Sequence, residues 1–279
     1  MESIGQEAFK TCYRARAGQL FHAAYMRMGK VLFALHILRA AGKRLTQKDI
    51  FDYGFGAGTF YRYCPKDSRL YGVEQDPVVC QEVAAVLGSR GYESVDLRPI
   101  EIERWEKHPL LQRQYNLFLC SHVLEHLPDP VDFLKTVWSC VKPDGVFLGL
   151  VPINERAENP HHLQKVDRAV VEKWASDAGY EVTYYEENDP FLYWAQPLYT
   201  VTSGWKHKLA QAMSLDLGIS ATLCGERLWF GWGKIFGKLT FSKPTQAAFL
   251  LRPKLQKVTS GGRRGLPRRL NCRGQRAKV

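Results

Sequence analysis

The stretch Ile50-Phe51-Asp52-Tyr53-Gly54-Phe55-Gly56-Ala57-Gly58-Thr59 constrains the chain most: an apolar run ends in an acid and is followed by three glycines at alternate positions. Glycine tolerates backbone angles that a Cβ forbids and leaves the main chain bare. Three of them at a strand end make a tight turn that a ligand can approach closely. Sixteen positions after Gly58, Tyr71-Gly72-Val73-Glu74 reads as a second strand, again closed by a carboxylate. An ionised acid offers only acceptors and can take two hydrogen bonds from the vicinal hydroxyls of a ribose. The ligand implied is a nucleoside.

Two nucleoside-binding patterns compete for these residues, because Glu74 also lies twenty positions after Gly54, near the interval of a dinucleotide fold. Position 59 separates them: where G-x-G-x-x-G requires its last glycine the chain has Thr59, and the pattern is D-x-G-x-G-x-G. No phosphate-binding lysine follows, which argues against a P-loop. Asp52, Gly54, Gly56, Gly58 and Glu74 together resemble the first two motifs of class I S-adenosylmethionine-dependent methyltransferases. The resemblance implies S-adenosylmethionine as cofactor, held by Asp52, Tyr53, the three glycines, Glu74 and Gln75. For the glycines alone, a structural turn is the alternative.

Residues 16–42 carry Leu20, Phe21, Ala24, Met28, Val31, Leu32, Leu35 and Leu38 at helical spacing and stop at Gly42, so one or two helices precede the first strand. Most of these positions suit packing on a sheet, with Tyr13 and Tyr25 as candidates for contact with a substrate. Thr59 to Tyr63 starts a short helix whose free N–H groups favour the ligand's carboxylate. Asp76-Pro77 is an N-cap with proline in the first turn of a further helix, whose buried face is Val79, Val83 and Leu87. Ser94 to Leu97 is a weaker third strand. The resembled class often holds the adenine amino group with an acid after this strand, commonly in a Gly-Asp pair. Pro99-Ile100-Glu101 stands there instead, so Glu101 is either that contact or a solvated charge.

Tyr115 to Cys120 reads as a buried fourth strand. The words VLEHLPDP, ending at Pro130, and VKPDGVFLGLVP, ending at Pro152, resemble the post-strand loop and fifth strand of small-molecule methyltransferases related to the quinone-biosynthesis group. That similarity spans roughly residues 48–187. Lys142-Pro143-Asp144-Gly145 is the tight turn into the strand Val146 to Val151. Val170, Val171, Trp174 and Ala178-Gly179-Tyr180 resemble the same family's helix leading into a sixth strand, Glu181 to Tyr185, and a seventh is best placed at Ala247 to Leu251.

The alternation predicts an open, mostly parallel α/β sheet with helices on both faces. The resemblance makes it a doubly wound, seven-stranded, Rossmann-like methyltransferase fold with strand seven antiparallel between five and six. Ligands of such sheets bind beyond the carboxyl ends of the strands, where Gly54 to Gly58, Glu74 and Cys120-Ser121-His122 all fall. Cys120 and Ser121 thereby join the cofactor candidates. Three segments follow: a helical segment over 1–47, a methyltransferase domain over 48–251 with an insertion at about 190–243, and a tail over 252–279.

The insertion is too long for a plain connection and is rich in aromatics: Phe191, Tyr193, Trp194, Tyr199, Trp205, Trp229, Phe230, Trp232, Phe236 and Phe241. It suits a lid or wall for an apolar or lipid-linked acceptor. Leu228 to Lys238, where aromatic and cationic residues alternate, equally suits a peripheral membrane contact or a second subunit. Ordinary packing is the alternative, and the oligomeric state stays open.

A sulfonium donor already carries its leaving group, so the protein chiefly aligns the acceptor and keeps water away. Where the acceptor must lose a proton, histidine suits the task at neutral pH. His122, just past strand four, is the first candidate and His162 the second, while His126 belongs to packing or capping. These histidines, His161, Glu125 and Glu155 match no standard ligand set, so no metal is expected.

Composition limits the partners. The chain has 279 residues, 45% of them apolar, enough for a substantial core. Its net charge of +11 invites a nucleic-acid partner, but residues 252–279 hold ten Lys or Arg and no acid, leaving 29 basic against 28 acidic residues before them. The body is nearly neutral and the tail is expected to be disordered. Seven scattered cysteines without a C-x-x-C pair indicate reduced thiols. Met1 to Gly5 lacks a signal-peptide pattern, and no apolar run reaches the roughly 18 residues of a membrane span. The expected enzyme is a cytoplasmic small-molecule methyltransferase, with O-methylation preferred over N- or C-methylation. An RNA or protein methyltransferase using the basic tail, and a non-catalytic methyltransferase-like binding module, are the alternatives.

Overall fold

The computed structural model describes residues 24–155, 161–193 and 204–254. Seven strands lie in one sheet: β1 (Asp49–Tyr53), β2 (Arg69–Glu74), β3 (Val95–Pro99), β4 (Tyr115–Ser121), β5 (Val141–Pro152), β6 (Tyr180–Asn188) and β7 (Gln246–Pro253). Their order is β3-β2-β1-β4-β5-β7-β6. The first five pair in parallel. β7 runs antiparallel to both β5 and β6, as expected. The helices are α1 (Tyr25–Ala40), α2 (Pro77–Ser89), α3 (Pro130–Val137), α4 (Arg168–Asp177) and α5 (Gly204–Thr240).

Successive residues of the central strands feed opposite faces, which is why those strands read as continuous apolar runs. Leu117 and Leu119 of β4, with Val146, Leu148 and Leu150 of β5, join one core against α1, α2 and α5. Phe118 and Cys120, with Phe147 and Val151, join the other against α3 and α4. Aspartates cap the helices that leave the ligand-facing edge. Asp76 accepts from Val78 N at 2.9 Å, Asp129 from Asp132 N at 2.9 Å and Asp167 from Val170 N at 2.9 Å. The opposite edge is pinned by Asp49, which accepts from Arg69 Nε at 2.5 Å and Lys142 Nζ at 2.6 Å. The Arg69 bond, with Lys142 behind it, holds its pKa down at about 2.

Several expectations are corrected in detail. Lys142 to Gly145 is a bulge inside β5 rather than a turn before it, because the register with β4 jumps from Tyr115↔Val141 to Leu117↔Val146. A Cβ on Gly145 would lie 2.8 Å from Tyr115 O, so a side chain there would force the bulge open. The insertion is chiefly the long helix α5, interrupted at Gly225 (φ 73°, ψ 157°). α5 packs along α1 through Phe33 and Phe230, with centroids 5.0 Å apart, and through the Arg39–Glu226 ion pair. Trp229 and Phe230 are buried, while Trp205, Trp232 and Phe241 are exposed. Tyr25, expected as a substrate contact, is fully buried beneath Trp229. Tyr13, Trp194, Tyr199 and all of the tail past residue 254 lie outside the described residues.

Cys64, Cys80, Cys120 and Cys140 are buried free thiols and Cys224 is an exposed one. Among the described residues, no helix is long and apolar enough to cross a membrane.

Candidate functional site

The carboxyl ends of β1 and β2 meet across the glycine loop. Gly54, Gly56 and Gly58 adopt φ of 73°, 53° and 67°, the left-handed region that side chains rarely enter. A Cβ on Gly58 would stand 2.5 Å from Val83 Cγ1, and one on Gly54 2.9 Å from Val123 Cγ2. The Gly56 N–H donates to Glu74 Oε2 at 2.8 Å and the Gln75 N–H to Glu74 Oε1 at 2.7 Å. The acid is thus oriented by the main chain, and each of its oxygens keeps a lone pair for a ligand hydroxyl. Burial raises the Glu74 pKa, the two backbone bonds oppose that rise, and Asp76 adds to it.

Asp52 sits beneath this loop at 3% exposure, and its Oδ1 has no hydrogen-bond partner. Burial and the neighbouring Glu74 charge push its pKa well above the carboxylate range. A buried acceptor left open is costly unless a bound donor completes it. The other expected cofactor residues divide. Gln75 is exposed and contributes the N–H that holds Glu74. Ser121 ends β4 half-buried, in register with Leu150. The Tyr53 ring points away from the loop, edge-on to Phe133 at 4.9 Å and Trp105 at 6.1 Å, leaving only its backbone at the hollow. Cys120 is fully buried in the core, its thiol pKa raised by burial and by Glu125 and Asp52. Glu101 is exposed past β3 and caps nothing.

A second group of polar residues lies over β4, β5 and β7. His122, at φ 56°, follows β4 directly and its N–H donates to Leu150 O at 2.8 Å. Its Nδ1 stands 3.4 Å from Glu125 Oε1 and its Nε2 3.5 Å from Gln246 Oε1. Glu125 is fully buried. Its distance to His122 is that of an ion pair rather than a well-formed hydrogen bond, which leaves both carboxylate oxygens incompletely satisfied. Lys30 of α1 is the cation of this group. Burial and Arg27 push its pKa down to about 7, while Glu125 pulls the other way. The His122 pKa is lowered by burial and by Lys30, against Glu125 and Gln246. A ring so placed is neutral near pH 7 and can accept a proton.

His162 is drawn aside: its Nδ1 pairs with Glu155 Oε2 at 2.7 Å and its ring meets His126 edge-on at 4.8 Å. His126 Nδ1 is engaged by His161 O at 2.8 Å. Glu125, His126 and His162 bring one donor atom each within 4.8 Å of one another, a convergence their spacing did not suggest and to which we assign no metal.

Lys30, Glu125 and Gln246 escaped the sequence reading as site residues. Glu125 alone carried a usable signal, lying three positions after His122 and so within reach of its ring.

Known proteins resemble the chain in sequence and in fold. Two curated relatives are ubiquinone biosynthesis O-methyltransferases. That of Histophilus somni (strain 2336) is 25% identical over 114 residues, and that of Marinobacter nauticus (strain ATCC 700491 / DSM 11845 / VT8) is 27% identical over 115. Each alignment covers 40% of this chain and 48% of the relative, so the chain spans about half the length of the curated relatives it matches. Among solved structures, coclaurine N-methyltransferase bound to N-methylheliamine and SAH superposes with a TM-score of 0.54 at 10% identity, covering 84% of this chain and 76% of the other. The [4+2]-cyclase SpnF superposes with a TM-score of 0.52 at 14% identity, covering 80% of each chain. These likenesses are of fold, and the cyclase shows that such a fold does not dictate one reaction. A family model described as a methyltransferase domain matches residues 25–186. That match takes in more than half of the chain, from α1 through the glycine loop to β6, and the protein therefore belongs to the methyltransferase-domain family.

Proposed function

We propose that the chain transfers a methyl group from S-adenosylmethionine to a small-molecule acceptor, with oxygen the preferred atom. The observation that carries this reading is the junction of Gly56 N–H and Glu74 Oε2 at 2.8 Å, which sets an oriented, acceptor-only carboxylate against a bare backbone arc. The open Asp52 Oδ1 fits the same ligand, because its amino and hydroxyl donors would complete a buried acceptor. When bound, the cofactor supplies the electrophilic methyl group. Glu74 holds the ribose, Gly54 to Gly58 let the ligand lie against the main chain, and the ends of β4 carry the chain across to the acceptor side. There His122 takes the acceptor's proton, and Lys30 and Glu125 set the local charge. Oxygen is favoured because a hydroxyl must lose a proton and a neutral, half-enclosed imidazole stands where it can take one.

The test is calorimetry with S-adenosylhomocysteine followed by an S-adenosylhomocysteine release assay on phenolic, amine and carbon acids. Gly56→Arg is the dead control, since a bulky cation there blocks the loop. Full activity in that variant overturns the reading.

A lipid-linked acceptor taken from an anionic membrane is the second reading, and the outer face of α5 favours it. Leu223 (82% exposed), Leu239 (74%), Trp205 (70%) and Trp232 (61%) stand out among Lys206, Lys208, Arg227 and Lys238. Aromatic and aliphatic side chains interleaved with lysines suit an interface with anionic headgroups.

A further inference from the structure

From the indole of Trp229 to the amide of Gln246, beside the imidazole of His122, runs a chain of hydrogen bonds whose direction is set by chemistry. An indole nitrogen only donates, and Trp229 Nε1 gives its hydrogen to Tyr25 Oη at 2.7 Å. The one hydroxyl hydrogen of Tyr25 goes on to Asp189 Oδ1, also at 2.7 Å. Asp189 is fully buried just past β6, in the left-handed region at φ 67°. Its main chain is pinned as well: Asp189 O accepts from Thr245 Oγ1 at 2.6 Å, and its N–H donates to Asn188 Oδ1 at 2.8 Å. As an ionised acid it can only accept, so the second oxygen, Oδ2, draws the amide nitrogen of Gln246 to 2.6 Å. An amide whose nitrogen is committed must turn its oxygen the other way. That oxygen is the atom 3.5 Å from His122 Nε2.

We infer that Asp189 is a positioning residue for His122: by taking the Gln246 amide nitrogen it makes both ring nitrogens of His122 face acceptors, so the pocket is arranged in advance for the protonated ring. Nε2 looks at the Gln246 carbonyl and Nδ1 at the Glu125 carboxylate. The charged groups around the ring are Glu125 from its own loop, which favours the proton, and Lys30 from α1, which opposes it; β7 contributes the neutral Gln246, and Asp189 behind it, past β6, is ionised above about pH 6. When an acceptor hydroxyl gives up its proton to Nε2, from which Gln246 Oε1 stands off at 3.5 Å, the O–H bond leaves its electron pair on oxygen and the new N–H is shared between that oxygen and the waiting Gln246 carbonyl. Polar groups oriented beforehand toward a charge that develops later are the most effective electrostatic aid a site can offer. The inference rests on the reading of His122 as the proton acceptor.

The experiment is a pH titration of the full-length protein labelled with 15N-histidine, following the ring nitrogens of His122, assigned through His122→Asn. In Asp189→Asn the new amide accepts from Tyr25 through its oxygen and offers its NH2 to Gln246. Gln246 then turns over and shows His122 a donor. The expected result is a fall in the His122 midpoint of about one pH unit, roughly tenfold in the protonation equilibrium. Gln246→Met, which removes the acceptor without touching Asp189, should lower it in the same direction and covers the case in which Asp189→Asn does not fold. A midpoint unchanged or raised in both variants overturns the inference. The titration needs neither cofactor nor acceptor, so it stands apart from the proposed activity. A lowered midpoint together with full turnover in His122→Asn would keep the hydrogen-bond chain and remove its role in methyl transfer.

Discussion

Replacing Glu74 by glutamine tests the cofactor half of the site with the least change in shape. In the wild type each carboxylate oxygen already accepts one backbone N–H, from Gly56 at 2.8 Å and from Gln75 at 2.7 Å. An amide keeps one oxygen and turns an NH2 against the other N–H, so one backbone bond is lost and one ribose hydroxyl loses its charged acceptor. A hydrogen bond to a charged group contributes about 1.5–3 kcal/mol, and the surviving bond to the neutral oxygen recovers part of a second, so affinity should fall by about 2–3 kcal/mol. That is roughly 30- to 150-fold in Kd. Stability should change far less, because burial disfavours the ionised acid in the folded chain and the neutral amide escapes that cost. Calorimetric titration with S-adenosylhomocysteine reads the affinity, and thermal unfolding of the ligand-free protein reads the stability. An affinity within about threefold of wild type would refute the reasoning, since Glu74 would then hold the loop and nothing more.

The glycine loop makes a sterically sharper case. Gly58→Ala puts a Cβ 2.5 Å from Val83 Cγ1 at φ 67°, and should cost at least ~2 kcal/mol in chemical denaturation and lower cofactor affinity with it. Asp189 supplies a pH signature. Burial raises its pKa to about 6, against the bonds from Tyr25 and Gln246, so between its unfolded value near 3.8 and about 6 the folded chain binds the extra proton. Stability from this residue is therefore full below the lower value and is lost as pH rises through the upper one, by about 3 kcal/mol. Asp189→Asn should flatten that slope in urea midpoints measured across the window. For the membrane reading, vesicles containing about a third phosphatidylglycerol should sediment the wild type, and Trp232→Ser with Leu239→Ser should release it; equal binding to neutral vesicles would count against an anionic lipid surface.

The cofactor half of the molecule was legible in the chain because its constraints are local. Gly54, Gly56 and Gly58 advertise positive φ, and Asp76-Pro77 announces a helix start. The central strands show themselves as apolar runs because both faces are covered. Boundaries moved by a few residues: β5 begins at Val141 rather than Val146 because the bulge lies inside it, and β6 runs on to Asn188, its polar alternation hiding its length. The acceptor half was not legible in the same way. Tyr25, Asp189, Gln246 and Trp229 are scattered over more than two hundred positions and meet only when α5 lies along α1. Nothing in the neighbours of Asp189 distinguishes it from a loop aspartate before Pro190. For Tyr53 the chain did not say which part of the residue faces the hollow: adjacent residues in a strand face opposite ways, so with Asp52 turned toward it only the Tyr53 main chain can be there.

The reversed direction of β7 has a consequence for how this protein can change. A parallel strand delivers its last residue to the ligand-facing edge, but β7 delivers its first, Gln246, paired with Pro152 at the end of β5. The segment immediately upstream, α5 and its connection, therefore sets what enters the edge at that point. Exchanging the stretch between the end of β6 and Gln246 for another would bring a new wall and a new side chain to the acceptor, while the nucleoside grip built by β1 and β2 stayed in place.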